Sequence, residues 1–189
     1  ISGNKAEING GDANNYLRGG GGVFLSFTAK FTMSGNVVIS GNAAPNGYGG
    51  GVCIYGTEIA SVGKGSTFEM TGGVIGGTGA DDTNTAKYGG GVYVGKYSEF
   101  TMSGNAVISG NNQGGVANTA NSTFTMSENA RISGNTGDDT GAGVCMYGDF
   151  IMAGGVITGN SVTDDNALKG YGGGVYVYPN NKNKMIVSG

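Results

Sequence analysis

The chain lacks histidine and tryptophan, has only two prolines and two cysteines, and only 12% of its residues are charged. Without histidine there is no Ser-His-Asp triad, no histidine-ligated metal and no histidine acid or base. The only arginines are Arg18 and Arg131, and the formal net charge is −3, so there is no basic surface for nucleic acid. No apolar run is long enough to span a membrane and no polybasic patch occurs, so direct membrane contact is not expected either.

Glycine is abundant instead, at 42 of 189 residues, and it recurs at fixed places within a repeat. The repeat combines a GGGVYV segment, at 89–94, with an FTMSGNAVISGN segment, at 100–111. Its leading Phe returns at Phe31, Phe68, Phe100, Phe124 and Phe150, with Met185 in the last such position. Disordered, glycine-rich chain does not keep apolar residues in fixed positions. Self-similarity at a period of about 20 to 50 residues indicates a solenoid, a propeller or an array.

Each unit holds three short segments in which apolar residues alternate with a period of two, the spacing of strands and not of helices. We predict that the inward-facing residues of the central unit are Val92, Val94, Phe100, Met102, Ala106 and Ile108. Glu69 and Arg131 occupy outward positions of the second and third segments, as charged side chains should.

The junctions between segments favour sharp corners. One position between the second and third segments holds only Asn or Gly, the residues that best tolerate a left-handed backbone. We predict this conformation there, at Asn36, Gly73, Asn105, Asn129 and Gly155. A Gly-Asn corner also follows the third segment, at Asn42, Asn111, Asn135 and Asn160.

The sequence therefore predicts an all-β fold: a right-handed parallel β-helix with three short strands per turn and about six turns. At about 4.8 Å per turn, the rod would be roughly 30 Å long. Because the repeat is uninterrupted, residues 1–189 are expected to form a single domain. The chain opens and stops in mid-repeat without a polar cap, so we expect a fragment of a longer surface protein.

Aromatic residues follow the outward face of the first strand. Candidate ligand-binding residues there are Phe24, Tyr55, Tyr93, Tyr147, Tyr176 and Tyr178. Tyrosine offers a large flat surface with a polar tip, which suits stacking against sugar rings or a protein partner. The alternative is that stacked aromatic rows only stabilise neighbouring turns.

Adjacent acids mark the loops along one edge of the rod, where insertions of variable length emerge. The pairs Asp138-Asp139 and Asp164-Asp165 belong to neighbouring turns, and they are the candidate ligands of a Ca²⁺ ion, which takes six to eight oxygens. Ordinary turn chemistry explains such acids equally well, and no other cofactor is indicated.

The two cysteines, Cys53 and Cys145, occupy the same outward position in turns predicted to be three apart. That separation of roughly 14 Å exceeds the reach of a disulfide, so we predict two free surface thiols, with pairing between chains or an engineered use as the alternatives.

The GGGV element at 89–92 and the Phe-led segment at 100–105 resemble the repeats of polymorphic outer membrane proteins and related adhesin-like β-helix proteins. The resemblance implies a pectate-lyase-like superfold in a surface-displayed, autotransporter-like passenger rod. Here Asn follows Phe by five positions where those families have three, and Gly mostly replaces their Ala.

These observations lead us to expect an extracellular, cell-surface, adhesin-like segment that acts as a stiff spacer and ligand-display scaffold. Its expected partner is a surface protein or glycan of a host or neighbouring cell. One alternative is a structural protein that self-associates into a fibre or coat, and another is a β-helix that binds or cleaves polysaccharide. With no histidine and scattered basic residues, we expect no enzymatic activity.

Overall fold

The chain winds into a parallel β-helix of about six turns, built from three parallel sheets. The computed structural model describes residues 1–7, 19–56, 65–138, 141–163, 171–179 and 183–189. Within these ranges there is no α-helix, and none of the helical structure could cross a membrane. The predicted fold class, three strands per turn and about six turns, is confirmed.

Successive turns contribute one strand to each sheet, and every pairing is parallel. The first sheet contains β1 (Val23–Leu25), β5 (Val52–Ile54), β9 (Val92–Val94), β12 (Val116–Asn118), β16 (Val144–Met146) and β20 (Val175–Val177). The second contains β2 (Lys30–Met33), β6 (Thr67–Met70), β10 (Glu99–Met102), β13 (Thr123–Met126), β17 (Asp149–Met152) and β21 (Met185–Val187). The third contains β3 (Val38–Ile39), β7 (Val74–Gly76), β11 (Val107–Ser109), β14 (Arg131–Ser133) and β18 (Val156–Thr158).

Shorter elements extend the turns beyond the third sheet. They are β4 (Ala43–Tyr48) paired with β8 (Thr85–Tyr88), β15 (Thr136–Gly137) paired with β19 (Ser161–Val162), and a 3-10 turn at Ala80–Asp82. The bridges from Thr85 to Asn112 and from Asn112 to Thr136 connect the two pairs. The segment at 78–88 lies at the edge where variable insertions were expected, and it is partly strand, because its second half finds a parallel partner in β4.

The core runs along the axis as columns of like residues. The rings of Phe31, Phe68, Phe100, Phe124 and Phe150 stack with centroid separations of 4.8, 4.8, 5.0 and 5.0 Å. All six predicted inward residues of the central unit are buried. Glu69 and Arg131 are exposed, so the predicted faces are confirmed. Stacking of this kind places Phe68, Phe100 and Phe124 each between two other phenylalanine rings, and all three side chains are buried.

A second column, of asparagine, runs inside the corner after the third sheet. Its members are Asn4, Asn42, Asn84, Asn111, Asn135 and Asn160, and the side-chain oxygen of each later residue accepts a hydrogen bond from the side-chain amide of the one before. Asn84 was missed by the sequence argument because an insertion separates it from its strand. The glycine-rich element fits against this column: a Cβ at Gly91 would lie 2.5 Å from the carbonyl oxygen of Gly115 and 3.0 Å from Nδ2 of Asn111.

The corners between the second and third sheets differ in part from the prediction. Gly73 and Gly155 have the predicted positive φ, at 85° and 90°. Where Asn follows instead, at Asn36, Asn105 and Asn129, the preceding residue takes it: Gly35 (67°), Gly104 (60°) and Glu128 (58°). The assignment of left-handed backbone to those three asparagines was wrong. Glu128 tolerates the conformation while its Oε2 accepts a hydrogen bond of 2.7 Å from the backbone N–H of Gly104.

Candidate functional site

The outward row of the first sheet has the predicted register. Parallel pairing places Phe24, Cys53, Tyr93, Ala117, Cys145 and Tyr176 side by side in successive strands. The row is not uniformly exposed, however: Phe24 is 39% exposed, whereas Ala117 is only 8% exposed. The strip is therefore interrupted in its middle by a small residue with larger neighbours on both sides.

Neither cysteine forms a disulfide, and the two lie three strands apart in the sheet, as predicted. The prediction of two surface thiols was wrong for Cys53, which is 1% exposed, whereas Cys145 is half-buried. The chain at Gly19 crosses directly over Cys53, so close that a Cβ there would lie 2.7 Å from Sγ. Burial raises the pKa of the Cys53 thiol to about 12.

A cluster of three tyrosines forms one side of the site. The ring of Tyr48 stacks on that of Tyr93, with centroids 4.5 Å apart, and on that of Tyr88, at 5.9 Å. Because β4 pairs with β8, Tyr48 and Tyr88 lie opposite each other beside the edge of the first sheet. The Lys87 ammonium lies 5.5 Å from the Tyr88 ring centroid. We call Tyr48, Tyr88 and Tyr93 the first tyrosine cluster.

A second cluster lies farther along the rod. The rings of Tyr147 and Tyr178 stack at 4.4 Å, and we call this pair the second tyrosine cluster. Tyr176 meets Tyr178 edge-on at 6.3 Å and stacks on Tyr171 at 5.5 Å. These contacts also brace neighbouring turns, as the stabilising alternative anticipated.

Between the two clusters lies an open groove with a volume of about 650 Å³. Ala117 and Cys145 form its floor, and the clusters form its two ends. Of the predicted ligand-binding residues, Tyr93, Tyr147 and Tyr178 line this groove, whereas Phe24, Tyr55 and Tyr176 are not among its lining residues. The structure thus brings half of the predicted strip together around one concave site.

The amide, threonine and carboxylate side chains in the lining already have partners within the protein. Gln113 donates from Nε2 to the carboxylate of Asp138. Asn118 donates to the carbonyl oxygen of Asp149 at 2.8 Å, and the Thr119 hydroxyl donates to that of Val94 at 3.2 Å. What the groove offers to a ligand is therefore chiefly aromatic surface, tyrosine hydroxyl groups and the Lys87 ammonium.

The phenol groups of Tyr93 and Tyr147, two of the groove residues, remain protonated at neutral pH. Burial raises the pKa of Tyr93, and the neighbouring Tyr48 and Cys53 add to the effect. Burial likewise raises the pKa of Tyr147, to about 12, and the pKa of Tyr176 is raised for the same reason. A protonated phenol can donate a hydrogen bond as well as accept one.

The predicted calcium site is described only at Asp138, which lies on the rim of the groove and binds Gln113. Asp139, Asp164 and Asp165 lie outside the described residues. Within the ranges that the structure describes, no three acidic, cysteine or histidine side chains group closely enough to hold a metal ion. The Ca²⁺ site stays a prediction.

Three residues of the groove were not predicted from the sequence: Tyr48, Tyr88 and Lys87. A signal for the tyrosines was present, because Tyr48, Tyr88 and Tyr171 each stand directly before a Gly-Gly-Gly-Val element. Lys87 follows only from the pairing of β8 with β4, which sequence spacing does not reveal.

Comparison with protein-family models, with curated proteins and with solved structures finds no match to this chain. The parallel β-helix is therefore established by the structure of the chain itself.

Proposed function

We propose that this chain is a ligand-binding segment of an extracellular, adhesin-like rod, in which the β-helix is a stiff scaffold and the tyrosine groove is the binding site. The observation that carries the proposal is the groove itself: two stacked tyrosine clusters facing each other across the small residue Ala117. Its volume lies within the range of about 300–1,000 Å³ typical of ligand sites. The expected ligand is a surface component of a host or neighbouring cell.

Three properties support binding over a purely structural role. Aromatic residues with polar tips are enriched at recognition surfaces, where they lose little conformational entropy. Tyr93 lies in β9 and Tyr147 directly follows β16, and both strands pair with neighbours on both sides, so one tyrosine of each cluster is held on a rigid element. If the row served only to stabilise the turns, a large side chain at position 117 would add stabilising contacts with its neighbours. The chain has alanine there. The repeat pattern that resembles passenger rods supports the surface location.

The test is a binding screen of the chain against a glycan array and intact cells, followed by alanine variants of the groove. We expect Tyr93→Ala and Tyr178→Ala to weaken binding by about tenfold or more, because aromatic anchors dominate such interfaces. Phe24→Ala is the matched control, since Phe24 has the same outward orientation on the same sheet but does not line the groove. Equal losses in all three variants would indicate that the whole strip binds, and no loss in any would overturn the proposed site.

The two alternatives predict other results. A fibre or coat protein would show a scattering mass that rises steeply with protein concentration. A polysaccharide-cleaving protein would release reducing sugars or unsaturated products from polyuronates.

A further inference from the structure

We infer that the groove takes a proline-rich peptide segment in the polyproline II conformation, an inference that rests on the proposed binding function and specifies its ligand. Polyproline II is a left-handed helix with three residues per turn that docks into aromatic-lined grooves. The choice follows from the charge of the groove, its hydrogen-bonding groups, the direction of its strands and the spacing of its tyrosine clusters.

The charges of the groove lining argue against a polyanion or a polycation as its ligand. The lining contains one cation, Lys87, and one anion, Asp138. Their charges cancel, so a polyuronate or a phosphorylated chain would find no complementary set of cations. A neutral segment matches the groove, and its affinity should depend little on salt.

The hydrogen-bonding groups favour an acceptor-rich ligand. The Tyr48, Tyr88 and Tyr93 hydroxyl groups make no hydrogen bond to any other described residue, and Lys87 can only donate. In contrast, Asn118, Thr119 and Gln113 already donate to protein oxygens. A proline-rich segment presents backbone carbonyl oxygens and few N–H groups, which suits such donors.

The strand arrangement excludes addition of a ligand as an extra β-strand. The floor residue Ala117 lies in β12, which is hydrogen-bonded to β9 on one side and to β16 on the other. No unpaired backbone edge is available in the floor, so the ligand must be recognised by side chains. Recognition of polyproline II works in this way, through ring surfaces and hydroxyl donors.

The spacing of the clusters agrees with the helix repeat. Tyr93 lies in β9, and Tyr147 directly follows β16, which is two strands away in the sheet. Two spacings of about 4.8 Å separate these strands by roughly 10 Å along the rod, and Tyr147 lies two residues farther along the chain than Cys145, the residue in register with Tyr93. Polyproline II rises about 3.1 Å per residue, so prolines three positions apart are separated by about 9.3 Å. One proline can thus rest on each cluster, with the intervening residues over Ala117.

The test is calorimetric titration of the whole chain with acetylated, amidated decaproline, compared with a Gly-Ser decapeptide and with cellohexaose. We expect saturable binding of decaproline only, little changed by added salt. Tyr93→Ala and Tyr178→Ala should weaken it by about tenfold or more, and Phe24→Ala should leave it unchanged.

Ala117→Phe tests the groove by filling it instead of removing a wall. The same outward position already holds an aromatic residue at Phe24, so the sheet accommodates the change, which circular dichroism and the thermal midpoint will verify. We expect a folded protein that no longer binds decaproline.

Each remaining outcome overturns the inference in a distinguishable way. Groove-dependent binding of cellohexaose, or of another ligand from the array and cell screen, without binding of decaproline would overturn the peptide ligand and leave the proposed function standing. Decaproline binding that survives Ala117→Phe would place the peptide elsewhere. Absence of any groove-dependent ligand would overturn both proposals.

Discussion

At the scale of single residues, an inward side chain of this fold contacts copies of itself in the turns before and after. Phe100 is 1% exposed and lies between the rings of Phe68, at 4.8 Å, and Phe124, at 5.0 Å. Thr101, the next residue, points outward and is exposed. Phe100 and Thr101 therefore have different surroundings, although they are adjacent in one strand.

Replacing Phe100 tests this difference. We expect Phe100→Ala to lower the free energy of unfolding by about 3–5 kcal/mol, because it leaves a cavity between two rings that the strands hold apart. Thr101→Ala, the matched control, should change it by no more than about 0.5 kcal/mol. Denaturant titration of both variants measures the difference. Equal effects would contradict the assigned faces of the second sheet.

At the scale of the structural element, the corner after the third sheet depends on the buried asparagine column. Asn111 is 1% exposed, and its Nδ2 donates to the carbonyl oxygens of Ile75 and Ser109 and to Oδ1 of Asn135. Its own Oδ1 accepts from Asn84. One side chain thus satisfies polar groups in three consecutive turns, and buried polar groups without partners are costly.

Removing Asn111 should therefore destabilise the rod more than its size suggests. We expect Asn111→Ala to cost about 3 kcal/mol, because buried groups of Ile75, Asn84 and Asn135 lose a partner. Asn112→Ala is the control, since Asn112 is adjacent and exposed, and its cost should stay within about 0.5 kcal/mol. Urea titration of the two variants is the measurement. If Asn111→Ala lowers the free energy of unfolding as little as the control does, water must be able to replace the hydrogen bonds of Asn111.

At the scale of the whole molecule, groups with raised pKa values make folding depend on pH. The pKa of Cys53 rises from its ordinary 9.0 to about 12, and that of Tyr147 from 10.0 to about 12, because of burial. The pKa of Tyr93 is raised in the same way. Between these values the unfolded chain has lost protons that the folded chain still holds. Stability therefore falls as pH rises through this interval.

We expect the free energy of unfolding to decrease between about pH 9 and pH 12, as measured by denaturant titration in the presence of a reductant. Cys53→Ala removes one of the groups, so its stability should decline less steeply over the same interval. Phe24→Ala, which changes no titratable group, should keep the slope of the original chain. A stability that stays constant or rises above pH 9 would contradict the burial of these groups.

The amino-acid sequence by itself determined the solenoid, the three strands per turn, and the inward and outward faces. Strand periodicity and the repeat are local patterns, so residues such as Phe100 and Glu69 could be assigned without knowledge of the fold. The same patterns placed Tyr93, Tyr147 and Tyr178 on one outward face. The repeat also predicted which residues of successive turns are neighbours, because aligned positions in a solenoid lie next to each other in space.

Only the tertiary structure decided which residues become neighbours where successive turns differ in length. It returned Asn84 to the asparagine column after an insertion, placed Gly19 over Cys53, and paired β4 with β8 so that Tyr48 and Tyr88 joined Tyr93. It also showed that Glu128, and not Asn129, takes the left-handed backbone. These features depend on how insertions fold back and on which neighbour a side chain meets, and that information lies in the three-dimensional path of the chain.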